Sequence, residues 1–220
     1  MKLLSVNLAR SMWICHVRDF NPKGKNLVIP MLSLLEELYK FQSMPSPKDV
    51  FDENVESVFK AGEFTNSEGD TLTVTLKFFL WGIVADTASS TQNSDAFLSD
   101  LLNRVSEIFN LVPYEQVIRK RTYLSQLSVS TDRSLELINP KLREISQYLT
   151  DNVAGYNNVP FETGGISFWP DQILPVHPSP FSLEREVAMP FSEKRYISNS
   201  ALQTDKHLEL LNKLEVLLGN

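Results

Sequence analysis

The hydrophobic pattern switches between a period of two and a period near 3.6 along the chain, so strands and helices can be read from it directly. Leu72, Val74, Leu76 and Phe78 alternate strictly with Thr71, Thr73, Thr75 and Lys77. This predicts a strand with one buried face and one face of threonine and lysine. Asn66-Ser67-Glu68-Gly69-Asp70 precedes it as a hairpin tip, and a further strand over 83–86 follows Trp81-Gly82. Residues 57–87 therefore read as a three-stranded meander.

Helical spacing is just as plain elsewhere. Met31, Leu34, Leu35 and Leu38 predict a helix over 28–40, with Pro30 close enough to its start to fit the first turn. Phe97, Leu98, Leu101, Leu102, Val105, Ile108 and Phe109 predict a second helix over 95–109, with Ser94 as its N-cap. Residues 3–8 and 12–18 read as extended, and Asn21-Pro22-Lys23-Gly24 as a turn. Further on come a strand over 121–130 and a helix over 140–150, with Asn139 as cap and Pro140 at its first position. Strands near 162–169 and 181–188 flank a stiff loop at 170–180 that carries four prolines. Residues 190–202 show no clean period and read as a long loop before a last helix at 205–218, capped by Thr204.

The order β-α-β-β-β-α-β-α-β-β-α predicts an α+β fold. The expected form is a two-layer sandwich, a largely antiparallel, meander-containing sheet with helices packed on one face. No internal repeat, low-complexity tract or Gly/Ser linker interrupts it, which favours one α+β domain over 1–220; the alternative boundary lies near 111–118.

Composition narrows the class. At 220 residues and 42% hydrophobic content, the chain has enough apolar material for a core without staples. Its single cysteine, Cys15, excludes an intramolecular disulfide and a Cys-rich zinc site and suits a reducing compartment. The N-terminus starts like a secretory leader, but Ser5, Asn7 and Arg10 break the apolar run, so a cytoplasmic and bacterial-style protein is expected. The most apolar run, Phe78 to Ala85, is too short for a membrane span. Net charge is −6, with 14 acids against 10 bases in residues 1–110 and 13 against 11 in the rest, which disfavours nucleic-acid binding by bulk charge.

Candidate chemistry is sparse. Val84-Ala85-Asp86-Thr87-Ala88-Ser89-Ser90 is similar over about five residues to the catalytic loop of pepsin-like aspartic proteases. It departs from them at Ala88, where they carry glycine, and brings no fold with it. An Asx-type turn leading into the next helix is the commoner account of Asp86, since an isolated short motif recurs by chance. Glu184 and Glu186 share one face of a strand, a geometry from which a raised-pKa acid can be built. His207 falls on the apolar side of the last helix, where a packed, hydrogen-bonded ring is the commoner reading. These four are the candidate catalytic residues. No metal-ligand spacing and no phosphate-cradling glycine loop is present, so neither a metal nor a cofactor is expected.

Two other regions suggest contact with a partner. Arg185 sits on the apolar side of its strand, where a guanidinium needs a carboxylate or an interface. With Trp169, Phe191, Arg195 and Tyr196 it makes a candidate interface rich in aromatics and arginine. Arg119, Lys120 and Arg121 head a locally basic stretch, six bases against three acids over 114–143, and are the candidate nucleic-acid contacts. Residues 45–70 are the acidic counterpart, seven acids against two bases, and 45–56 read as a segment able to order against another chain. The expected function is protein–protein interaction without catalysis, as an accessory subunit of a larger cytosolic complex or a homo-oligomeric module. The alternatives are a carboxylate-based hydrolase and a weak nucleic-acid binder.

Overall fold

A computed structural model describes residues 1–48, 50, 56–155, 159–171 and 177–219. Residues 49 and 51–55 of the 45–56 segment and 172–176 of the 170–180 loop lie outside the described residues. Among the described residues eight strands, β1 (Lys2–Ile14), β2 (Ser57–Thr65), β3 (Thr71–Phe79), β4 (Gly82–Thr87), β5 (Lys120–Ser130), β6 (Gly165–Phe168), β7 (Phe181–Arg185) and β8 (Arg195–Ser200), form one antiparallel sheet. Their order is β2-β3-β4-β1-β5-β8-β7-β6. The helices are α1 (Val28–Tyr39), α2 (Thr91–Phe109), the short α3 (Tyr114–Val117), α4 (Arg143–Asn152) and α5 (Thr204–Gly219). The fold is α+β with a meander, as the alternation predicts. Among the described residues no helix is long and apolar enough to cross a membrane.

The chain groups into two compact units. One comprises Val6–Ser125 and Ala201–Thr204, and the other Met1–Ser5, Gln126–Ser200 and Asp205–Asn220. In the first, the 72/74/76/78 face of β3 turns inward as its alternation requires, with Val74, Leu76 and Phe78 buried. Phe59, Phe41, Tyr39 and Phe97 stack against it edge to face, an arrangement aromatic rings prefer. Ala61 takes a left-handed conformation (φ 53°) at a bulge in β2, and Gly62 beside it has the Phe41 ring where a Cβ would stand.

Several boundaries differ from expectation. Residues 2–14 are one continuous strand, and 17–20 form a 3₁₀ turn where extended chain is expected. The cap of α2 is Ser90, whose hydroxyl accepts the Asn93 amide at 3.1 Å. Ser94 lies inside the helix, buried, and donates to the Ala9 carbonyl instead. Thr204 is the first residue of α5, and its hydroxyl accepts the Thr91 amide at 3.0 Å.

In the second unit, residues 190–202 hold a strand where a loop is expected. β8 turns Tyr196, Ser198 and Ser200 inward and Ile197 toward the opposite face, so its buried side is more polar than its other side. A hydrophobicity pattern therefore conceals it. Leu183 pairs with Ser198 across β7 and β8, and α5 buries His207, Leu211, Leu214 and Leu218, one helical stripe.

Candidate functional site

The candidate catalytic residues do not converge on one another within their units. Asp86 stands directly opposite Arg10 in the β1–β4 register. Its two oxygens take the guanidinium side-on at 2.6 and 2.7 Å, a bidentate pair that raises the Arg10 pKa, mainly through the hydrogen bond to Asp86. That geometry holds two strands together.

His207 is fully buried, and burial pushes its imidazole down to about 4, so the ring is neutral at physiological pH. Its Nε2 is 2.8 Å from Ser198 Oγ, and that hydroxyl donates to the Ser182 carbonyl at 2.9 Å. The result is a Ser–His pair that sequence reading did not identify. Both side chains are sealed from solvent, so no substrate reaches the hydroxyl, and its proton is committed to a carbonyl. Glu184 neighbours Leu183 in β7 and pairs with Ile197, which puts it on the face opposite His207. Glu186 faces Arg195 at 3.2 Å.

The aromatic and arginine group is largely self-satisfied. Arg185 lies over the Phe191 ring, 3.8 Å from its centroid, and donates to the Met189 carbonyl. Its pairing is thus made by a π face and a carbonyl in place of a carboxylate. Arg195 serves Glu186 and Glu193, and Tyr196 is buried. Trp169 remains 69% exposed, beside Phe168 at 64%.

The basic residues are mostly engaged too. Arg119 pairs with Asp19 at 3.4 Å, Lys120 is exposed, and Arg121 lies 3.9 Å over the Trp13 ring. Trp13 anchors a polar network centred on Asp95. The indole N–H donates to Asp95 Oδ1 at 2.7 Å, the Tyr123 hydroxyl to Oδ2 at 2.9 Å, and the Ser11 hydroxyl to Oδ1 as well. Three donors converge on one carboxylate from β1 and β5, holding the second turn of α2.

The feature with least internal explanation is α4. Ile145, Tyr148 and Leu149 fall at i, i+3 and i+4 and are 59%, 66% and 39% exposed, and no residue of the helix is buried. Ile138 and Leu142 extend the stripe upstream with spacings of four and three. The Phe161 amide donates to Thr150 Oγ1 at 3.0 Å, which brings the exposed Val159 and Phe161 alongside. With Leu137, these eight side chains present on the order of 700 Å² of apolar surface, against the ~800 Å² each partner buries in a standard stable interface. Sequence reading placed this helix but not its open face. The spacing of Ile145, Tyr148 and Leu149 on the helix, with no polar residue among the three, is the signal that carries it.

The other open feature is an apolar pocket of about 510 Å³ in the first unit, between α1, α2 and the β3–β4 turn. Among the described residues no group of three or more His, Cys, Asp or Glu is placed to hold a metal ion. Cys15 is buried and its thiol is pushed up to about 11 by that burial, which makes it inert at neutral pH. Neither a protein-family model nor a curated protein matches the chain.

Proposed function

We propose that the protein works by protein contact, as a homo-oligomeric module whose two copies pair through α4, and not by catalysis. The observation that carries this reading is the apolar stripe of α4, which is exposed along its length. Contiguous apolar patches above a few hundred Å² are uncommon on monomers and mark contact surfaces.

Charge selects a second copy as the occupant. Asp151 sits in the last turn of α4, where the helix dipole disfavours an anion, and Lys141 precedes the first turn. Seating Ile145 of one copy against Leu149 of an antiparallel copy sets Arg143 of each helix opposite the partner's Asp151, with Lys141 in the turn just beyond. Opposite charges then meet and the dipoles oppose. A parallel pair would set like charges together. The arrangement is isologous and closes as a two-fold dimer.

The test is solution mass by light scattering. The wild type is expected at twice 25.0 kDa and Ile145→Glu at 25.0 kDa. Because Ile145 is exposed within the subunit, the variant is expected to melt within a degree or two of wild type at concentrations where both are monomers. A wild-type mass of 25.0 kDa at 100 μM sinks the proposal.

A further inference from the structure

The pocket of the first unit is independent of α4 and has its own chemistry. The 3₁₀ turn Val17–Phe20 and the loop that follows form one wall. That loop is fastened at both ends. The Asn21 side chain donates to the Lys25 carbonyl at 2.8 Å and accepts the Lys25 amide at 3.2 Å, and the Val112 amide donates to the Phe20 carbonyl at 3.0 Å. Gly24, with φ +63°, supplies the left-handed turn. Beneath lie Phe78 and Ile83 of the sheet, with Leu101 and Val105 of α2 opposite.

Inside, the wall is mostly apolar, with Asn21, Asn26 and Ser106 among its polar members. Among the described residues the charged ones lining the pocket are Arg18 and Lys25, both cations, in a chain of net charge −6. Lys25 spends one N–H on the Phe109 carbonyl at 2.9 Å, closing the end of α2, and keeps two donors. An apolar cavity with a cationic rim and no lining carboxylate is complementary to an aliphatic chain that ends in a single anion. A cavity of about 150 Å³ holds one six-carbon ring, so about 510 Å³ accommodates a chain on the order of 12–18 carbons. Phe79, 40% exposed, lines the way in.

We infer that this pocket binds a single-chain amphiphile with an anionic head, a long-chain carboxylate being the simplest member, with the chain along Val28, Met31, Phe79 and Leu111 and the head at Lys25, beside Arg18. Two sources carry that chemistry, a free carboxylate and an anionic membrane lipid, and the inference commits to the free amphiphile.

The experiment titrates the full chain with dodecanoate and with dodecyltrimethylammonium, below their micelle concentrations, by displacement of a dansyl-labelled undecanoate. The expected result is saturable binding of one dodecanoate per chain, at least tenfold tighter than the cation of equal length. Lys25→Met is expected to weaken dodecanoate about tenfold and leave the cation unchanged or tighter. Val28→Trp, at the mouth, is expected to weaken both. Circular dichroism of each variant confirms that it folds, and the wild-type titration stands without them. No saturable dodecanoate binding, or equal affinity for anion and cation, overturns the inference. So does sedimentation with phosphatidylglycerol vesicles by a protein that fails to bind dodecanoate, because the site would then be a surface and not this pocket.

Discussion

His207 makes stability depend on pH in a definite direction. In the folded chain burial holds its imidazole down to about 4, against an ordinary 6.5. Above pH 6.5 the ring is neutral in both states and contributes no pH dependence. Between pH 6.5 and about 4 the unfolded chain takes up a proton that the folded chain refuses, so stability falls as pH falls. The gap corresponds to about 3 kcal/mol by pH 4, at ~1.4 kcal/mol for each tenfold change in proton affinity.

The perturbation is His207→Leu, which fills similar space and cannot titrate. The Ser198 hydroxyl keeps the Ser182 carbonyl as its acceptor, so the cost at pH 7.5 comes from the imidazole's own hydrogen bonding and the Phe181 edge contact, about 1–2 kcal/mol. Urea unfolding of both proteins at pH 7.5, 6.0 and 4.5 gives the difference at each pH, and His16 and His177 cancel in it. The deficit of the variant is expected to shrink with acidification and to vanish or reverse by pH 4.5. A difference that stays constant across the range would refute the reasoning, since the ring would then titrate alike in both states.

Three further outcomes follow from named contacts. Asp95→Ala removes the acceptor of the Tyr123 and Ser11 hydroxyls and the nearer of the two acceptors of the buried Trp13 N–H, leaving it the Ser11 hydroxyl, and is expected to cost about 2–4 kcal/mol by thermal unfolding, with a shift in tryptophan emission. Arg10→Met and Asp86→Leu are each expected to destabilise by about 1–2 kcal/mol and the double variant by less than their sum, which a double-mutant cycle measures; full additivity would deny the pair any structural role. Gly62→Ala would place a Cβ 2.4 Å from the Phe41 ring and is expected to cost about 1–3 kcal/mol in urea unfolding, whereas Gly164→Ala, with open space around it, is expected to lie within about 0.5 kcal/mol of wild type.

How far the sequence can be read depends on whether burial and polarity agree. In β3 they agree, with inward Val74, Leu76 and Phe78 against threonine and lysine, so both strand and face are legible. The same holds for α1 and for the stripe of α2. In β8 they disagree, because the inward Ser198 exists to meet His207 and the outward Ile197 carries the hydrophobicity; no single-strand pattern reveals that. The start of α2 was misplaced for a related reason. Ser90 and Ser94 are both plausible caps by residue type, and only the Ala9 carbonyl, distant in sequence, assigns Ser94 to the interior. Site residues were less legible still. Asp86 carries a suggestive local string, yet its role is set by Arg10, 76 residues away. The α4 face follows the opposite logic: its apolar spacing is visible in the sequence, but only the fold shows that it stays exposed among the described residues.

The central claim, that two copies meet antiparallel through α4, is tested most directly by exchanging charge between the helix ends. Arg143→Glu, Asp151→Lys and the double variant are compared with wild type by sedimentation equilibrium at one concentration. Each single variant sets like charges together and is expected to shift the mass from twice 25.0 kDa toward 25.0 kDa, and the double variant, with the pair reversed, is expected to return to the wild-type mass. A double variant no heavier than either single one, or a wild type that sediments at 25.0 kDa, would contradict the account.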